Sequence, residues 1–81
     1  MSERAHDTAI DAALTGDWQR AHEIVQALDD PLACWIHAIL HKVEGDGANS
    51  RYWYARSGGR RYEDYSDPRA ELEAARVARG G

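Results

Sequence analysis

Glycine and aspartate occur together twice, as Gly16-Asp17 and Gly45-Asp46, and the 29-residue interval between the two pairs organises the whole chain. Glycine just past a helical stretch tolerates the left-handed backbone that ends many helices, and aspartate beside it is a good N-cap for the next one. Each pair therefore reads as the turn of a helical hairpin. Two such turns at a fixed spacing, with helical segments on either side, read as two copies of one unit.

The hydrophobic pattern fills in the helices. Ala5, Ala9, Ala12 and Ala13 give a first helix, about 4–14, a narrow face suited to close packing. Ala21, Ile24, Val25 and Leu28 recur at i, i+3, i+4 and i+7 and predict a second helix to residue 28, after the Asp17 cap. Asp29-Asp30-Pro31 combines a cap with proline at the first helical position and opens a third helix over 31–43. On a helical wheel with Trp35 at zero, Ile36, Ile39, Leu40 and Val43 share one broad face, while His37, His41 and Glu44 share the opposite one. A fourth helix, about 48–57, stops at Gly58-Gly59, and residues 60–66 are polar and aromatic without a period. Asp67-Pro68 opens a last helix to about 79, whose apolar residues are mostly alanine with Leu72 and Val77, so it should have little to bury. The expectation is an all-α fold of one domain. It comprises two stacked antiparallel hairpins (about 3–28 and 31–57), a linker over 58–66 and a C-terminal helix over 67–79. The expected core is Ile24, Val25, Leu28, Trp35, Ile39, Leu40, Val43 and Trp53.

The repeat resembles the tetratricopeptide type of helical hairpin. Its pattern W-x₂-L-G-x₂-Y…A-x₃-F…P is met in part by Ala5, Thr8, Ala9, Ala12, Ala21, Val25 and Pro31 in the first copy. Cys34, His37, Ala38, His41, Ser50 and Tyr54 match it in the second. The small positions (Ala9 and Ala38, Ala21 and Ser50) are kept, the large ones are altered, and Pro31 falls two residues early. A longer stretch, Trp35-Ile36-His37-Ala38 through His41-Lys42-Val43-Glu44-Gly45-Asp46 to Arg51-Tyr52-Trp53-Tyr54 and Gly58, is similar to a family of small microbial proteins with a WIHAxLHRxEGDxxNAxYWYRRAG-type block. Lys42, Ser50 and Ala55-Arg56-Ser57 are mild departures from it. The first resemblance implies a short solenoid with an interaction surface. The second implies neither a catalytic residue nor a ligand.

Charge is unevenly distributed within a net of −4. Residues 1–50 carry three basic and nine acidic groups, a balance of −6, against seven and five, or +2, in residues 51–81, so the two ends should attract each other. An acidic chain is not built for the phosphate backbone of nucleic acid. The rings and guanidinium groups of Arg51, Tyr52, Trp53, Tyr54, Arg56, Arg60, Arg61 and Tyr62 interleave as in single-strand binders, but packing and ion pairing explain them better. Cys34 is the single cysteine, which leaves no internal disulfide and fits a reducing, cytoplasmic setting. No stretch is apolar and long enough for a signal peptide or a membrane span.

Few residues could carry chemistry. His37 and His41 lie four apart on one helical face, with Glu44 along it, and form the one constellation with metal-ligand spacing. A zinc site would need a further ligand from His22, Glu23, Cys34 or Asp46. The competing reading is a structural network in which both imidazoles are buried and bonded to Glu44, Arg51, Tyr52 or Tyr54. Cys34 lacks a third group to orient a His37 base, and no phosphate loop or paired carboxylate stands out. Nothing argues for an enzyme or a resident cofactor. The expected function is a non-enzymatic module that binds a peptide, a partner protein or a second copy of itself; the alternative is a metal or small-molecule site around His37, His41 and Glu44.

Overall fold

In a computed structural model, which describes residues 2–80, the chain is all helical. Five α-helices follow in order: α1 (Ser2–Leu14), α2 (Trp18–Val25), α3 (Pro31–Val43), α4 (Gly47–Tyr54) and α5 (Pro68–Gly80), with a 3₁₀ turn at Tyr62–Asp64. The two glycine-aspartate turns have the same geometry. Gly16 and Gly45 have φ of 87° and 82°, the left-handed region that glycine enters without steric cost. At the first turn the Asp17 N–H donates to Ala12 O (2.8 Å) and Gly16 to Ala13 O; at the second Asp46 donates to His41 O (2.9 Å) and Gly45 to Lys42 O. Both are Schellman closures. Asp17 and Asp46 then cap α2 and α4 by accepting from the N–H of Arg20 and Asn49. The sequence repeat is thus a repeat of turn chemistry.

Two helices end earlier than their apolar pattern. Beyond Val25 the chain tightens into three-residue bonds, Ala27 N–H to Ile24 O and Leu28 N–H to Val25 O, before the Asp30 cap of α3. Beyond Tyr54 the same occurs, with Arg56 bonded to Trp53 O and Ser57 to Tyr54 O. Apolar periodicity continues through a tightened last turn, so it overestimates the α-helix by a few residues.

α1 pairs with α2 and α3 with α4, and α3 packs against all four other α-helices. Every residue from Ala33 to Leu40 is buried. The repeat's small positions explain how closely the helices approach: Ala9, Ala21, Ala38 and Ser50 are all fully buried, and the Ser50 hydroxyl donates to Ala38 O at 2.8 Å. Of the expected core, Val25, Trp35, Ile39 and Leu40 are buried, whereas Ile24 and Trp53 lie partly exposed at its margin and Leu28 and Val43 are half-buried. Ile10, Ile36 and Leu72 join the centre.

α5 departs most from expectation. It lies across α1 and α3, covers the face formed by the first helices of the two hairpins, and buries Glu71, Leu72 and Ala75. Glu71 is 1% exposed. Its Oε2 accepts from the Trp35 indole N–H (2.8 Å) and the Tyr54 hydroxyl (2.5 Å). The Lys42 ammonium stands 3.0 Å from Oε1, an ion-pair distance without ideal hydrogen-bond direction, and donates to the carbonyls of Tyr62 and Tyr65. Burial, reinforced by the bond to Glu71 and its charge, pushes the Tyr54 phenol well above its ordinary range and keeps it a donor. The predicted attraction between the ends is realised beside this centre: Arg76 pairs with Asp11 and Asp7, and Arg79 lies 3.0 Å from Asp7.

Leu40→Ala should cost about 2–5 kcal/mol in chemical denaturation, because the fully buried side chain leaves a cavity. Glu71→Ala should cost roughly 3 kcal/mol or more, since it strands a largely buried ammonium. Glu71→Ala combined with Lys42→Met should recover part of that loss; strict additivity of the two substitutions would mean that the ion pair does not hold α5.

Candidate functional site

The opposite flank of α3 carries the histidines. His37 and His41 project from consecutive turns, and His22 comes from the middle of α2, in the stripe beside buried Ala21 and Val25. One ring nitrogen from each of the three lies within 4.8 Å of the others. His37 Nε2 and His22 Nε2 are 3.0 Å apart, so one donates and the other accepts in the metal-free protein. The His37 and His41 rings stack at 5.0 Å, and His22 stands edge-on to both. Trp53, from α4, lies parallel to His37 with ring centroids 4.0 Å apart and covers one face of that ring.

Carboxylates flank His41 only. Glu44 Oε1 lies 3.3 Å from His41 Nδ1, close enough to pair but out of line for a directed hydrogen bond, so this buried nitrogen lacks a well-aligned acceptor. Asp46 Oδ2 is farther, at 3.9 Å. Its oxygens serve as the α4 cap and as acceptors from the Asn49 side chain, bonds that hold the Asp46 carboxyl below its usual range. His37 itself is buried. Desolvation, with the neighbouring His22 and His41 as further causes, lowers its pKa from 6.5 to about 4 and keeps it neutral at physiological pH. Neutral imidazole is the form that binds metal ions.

Of the residues that sequence reasoning gathered into a network, His37, His41 and Glu44 do come together. Arg51, Tyr52 and Tyr54 do not join them. Arg51 pairs with Glu63 at 2.6 Å and lies over the Tyr62 ring, and Tyr54 turns the other way, to Glu71. Tyr52 is exposed, edge-on to Trp53 and beneath the Arg56 guanidinium. α4 is a short helix with one face toward α3, so alternate residues leave in different directions. His22, weighed only as a supplementary ligand, becomes a full member; its signal was its place beside the packing stripe of the second helix. Cys34 is buried at the start of α3 against Asp29 O, and burial, outweighing the nearby Arg56 guanidinium, pushes its thiol up and away from thiolate chemistry.

No family model, curated protein or solved structure matches the chain. The functional reading therefore rests on the chain's own residues. Among the described residues, no helix is long and apolar enough to cross a membrane.

The lowered His37 pKa fixes a pH dependence. Between pH 4 and 6.5 the unfolded chain binds a proton that the folded, metal-free chain refuses, so stability should rise with pH across that window. The full effect is present above 6.5, is lost as pH falls toward 4, and amounts to something on the order of 1–3 kcal/mol. Urea midpoints measured from pH 4 to 7 should show this slope in the wild type and a flatter one in His37→Asn. Parallel slopes would remove the neutral, buried His37 from the account.

Proposed function

We propose that this chain is a metal-binding helical protein, with His22, His37 and His41 as the ligands of one transition-metal ion. The observation that carries the reading is the convergence of three imidazoles from two helices on one point, with ring nitrogens within 4.8 Å of one another. Buried histidines are usually spaced so that each finds its own acceptor. Here two of the three nitrogens face each other, and the third ring's Nδ1 has only a poorly aligned carboxylate.

The donor set points to the kind of metal. Imidazole suits zinc, copper, nickel, cobalt and iron, whereas magnesium and calcium require oxygen ligands. Zinc–nitrogen bonds of 2.0–2.1 Å in a tetrahedron set ligand nitrogens roughly 3.3 Å apart. The 3.0 Å His22–His37 separation is already near that value, and His41, with a ring nitrogen within 4.8 Å of the other two, would have to move inward to complete the set. Glu44 beside His41 Nδ1 takes the part of the outer carboxylate that orients a metal-bound histidine. The interaction-module reading has less behind it, because α5 covers the α1 and α3 face that stacked hairpins would offer to a peptide.

Protein purified without chelator should carry close to one equivalent of zinc or a neighbouring metal by elemental analysis. With free zinc about 100-fold above Kd, linkage stabilises the fold by about 2.7 kcal/mol, which raises Tm by roughly 10–20 °C in a domain of this size. EDTA should reverse that rise, and His22→Ala, His37→Ala and His41→Ala should each abolish it. A wild type that takes up no metal and melts identically with zinc and with EDTA would leave a purely structural histidine network in place of this reading.

A further inference from the structure

We infer that the metal centre keeps one open coordination position, at which water exchanges with small anions, so that it acts as an accessible Lewis acid rather than a closed structural clamp. This rests on the metal-binding reading and concerns what completes the coordination shell. Closed structural zinc sites have four protein ligands, usually with cysteine among them, while catalytic sites have three and leave the fourth position to water or substrate.

Three protein ligands converge here, and none of the candidates for a fourth joins their cluster. Cys34, in the first turn of α3, turns its thiol to Asp29 O, ahead of the helix. Both Asp46 oxygens are bonded to Asn49, through its backbone N–H and its side chain. Glu44 stands on the Nδ1 side of His41, which leaves Nε2 of that ring for the metal and puts the carboxylate outside the first shell. Glu23 follows His22 on α2 and is exposed.

Accessibility points the same way. His37 is buried and stacked on Trp53, whereas His22 and His41 are half-buried, so solvent meets the cluster at His22 and His41. Three neutral imidazoles leave a divalent ion's charge uncompensated in the first shell. A fourth ligand that donates an electron pair and carries negative charge is favoured there, and a bound water loses its proton far more readily than bulk water. The exchange is a simple substitution: water leaves with its lone pair, the anion donates one, and the metal's oxidation state is unchanged.

Cobalt(II) is the probe, because its visible bands report coordination number. The protein should take up one equivalent of cobalt and show bands of a four- or five-coordinate ion. Sodium azide should then shift those bands along a saturable curve with one azide per cobalt, and Cys34→Ser should respond as the wild type does. Failure to take up cobalt or zinc at all would overturn the metal-binding reading itself. Uptake of cobalt with bands that azide leaves unmoved, or with the intense absorption of a cobalt–thiolate bond, would overturn the open position alone and identify a closed site.

Discussion

A helix packed against all four others has little solvent face on which to place polar groups, and α3 is such a helix, buried from Ala33 to Leu40. It nevertheless carries an indole N–H, two imidazoles and an ammonium. Each of these must be satisfied by a partner brought from elsewhere in the chain, since an unpaired polar group in the interior costs several times what a hydrogen bond returns. On one flank the solution is the Glu71 carboxylate, delivered by α5 to Trp35, Tyr54 and Lys42. On the other it is the company of His22, Trp53 and Glu44. The two flanks account for most of the polar residues in the Trp35-to-Tyr54 block.

The two solutions differ in completeness. Glu71 Oε2 accepts from two donors, its Oε1 pairs with the Lys42 ammonium, and Lys42 reaches two backbone carbonyls besides, so that site holds α5 by charge as well as by hydrogen bonds. Rings flank it: Arg60 lies 4.3 Å from the centroid of Trp35, and Lys42 stands 4.9 Å from those of Tyr54 and Tyr62. The histidine flank is short of acceptors. Three rings and one aligned contact between nitrogens leave imidazole nitrogens without a protein partner, and the proposed metal site rests on that surplus.

Close approach of the helices makes both flanks possible. Alanine at positions 9, 12, 13, 21, 33, 38 and 75 is buried, and small residues let backbones pack without large side chains between them. The gain in apolar area is modest. Polar linkages to α5 therefore matter more here than in a larger domain, where a sizeable core would carry the load alone. Pairing of Arg76 and Arg79 with Asp7 and Asp11 follows from the opposite charge of the two ends and draws α5 along α1.

The sequence by itself determined the helices, their turns and their pairing, because those depend on residues close together in the chain: the glycine at positive φ, the aspartate cap, the proline at the start of α3, the apolar step of three and four. It also determined that His37, His41 and Glu44 share one side of α3, since spacing on a helix is fixed. Where a residue's role depends on what a distant segment brings to it, the pattern was silent. Glu71 in an alanine-rich helix looks like any solvated glutamate, and only the docking of α5 onto α1 and α3 makes it the central acceptor of the fold. Arg51 and Tyr54, expected beside the histidines, went to Glu63 and Glu71, because α4 turns one side to α3 and sends the rest elsewhere. His22 stands 15 residues before His37, and only the packing of α2 against α3 closes that gap to a 3.0 Å contact.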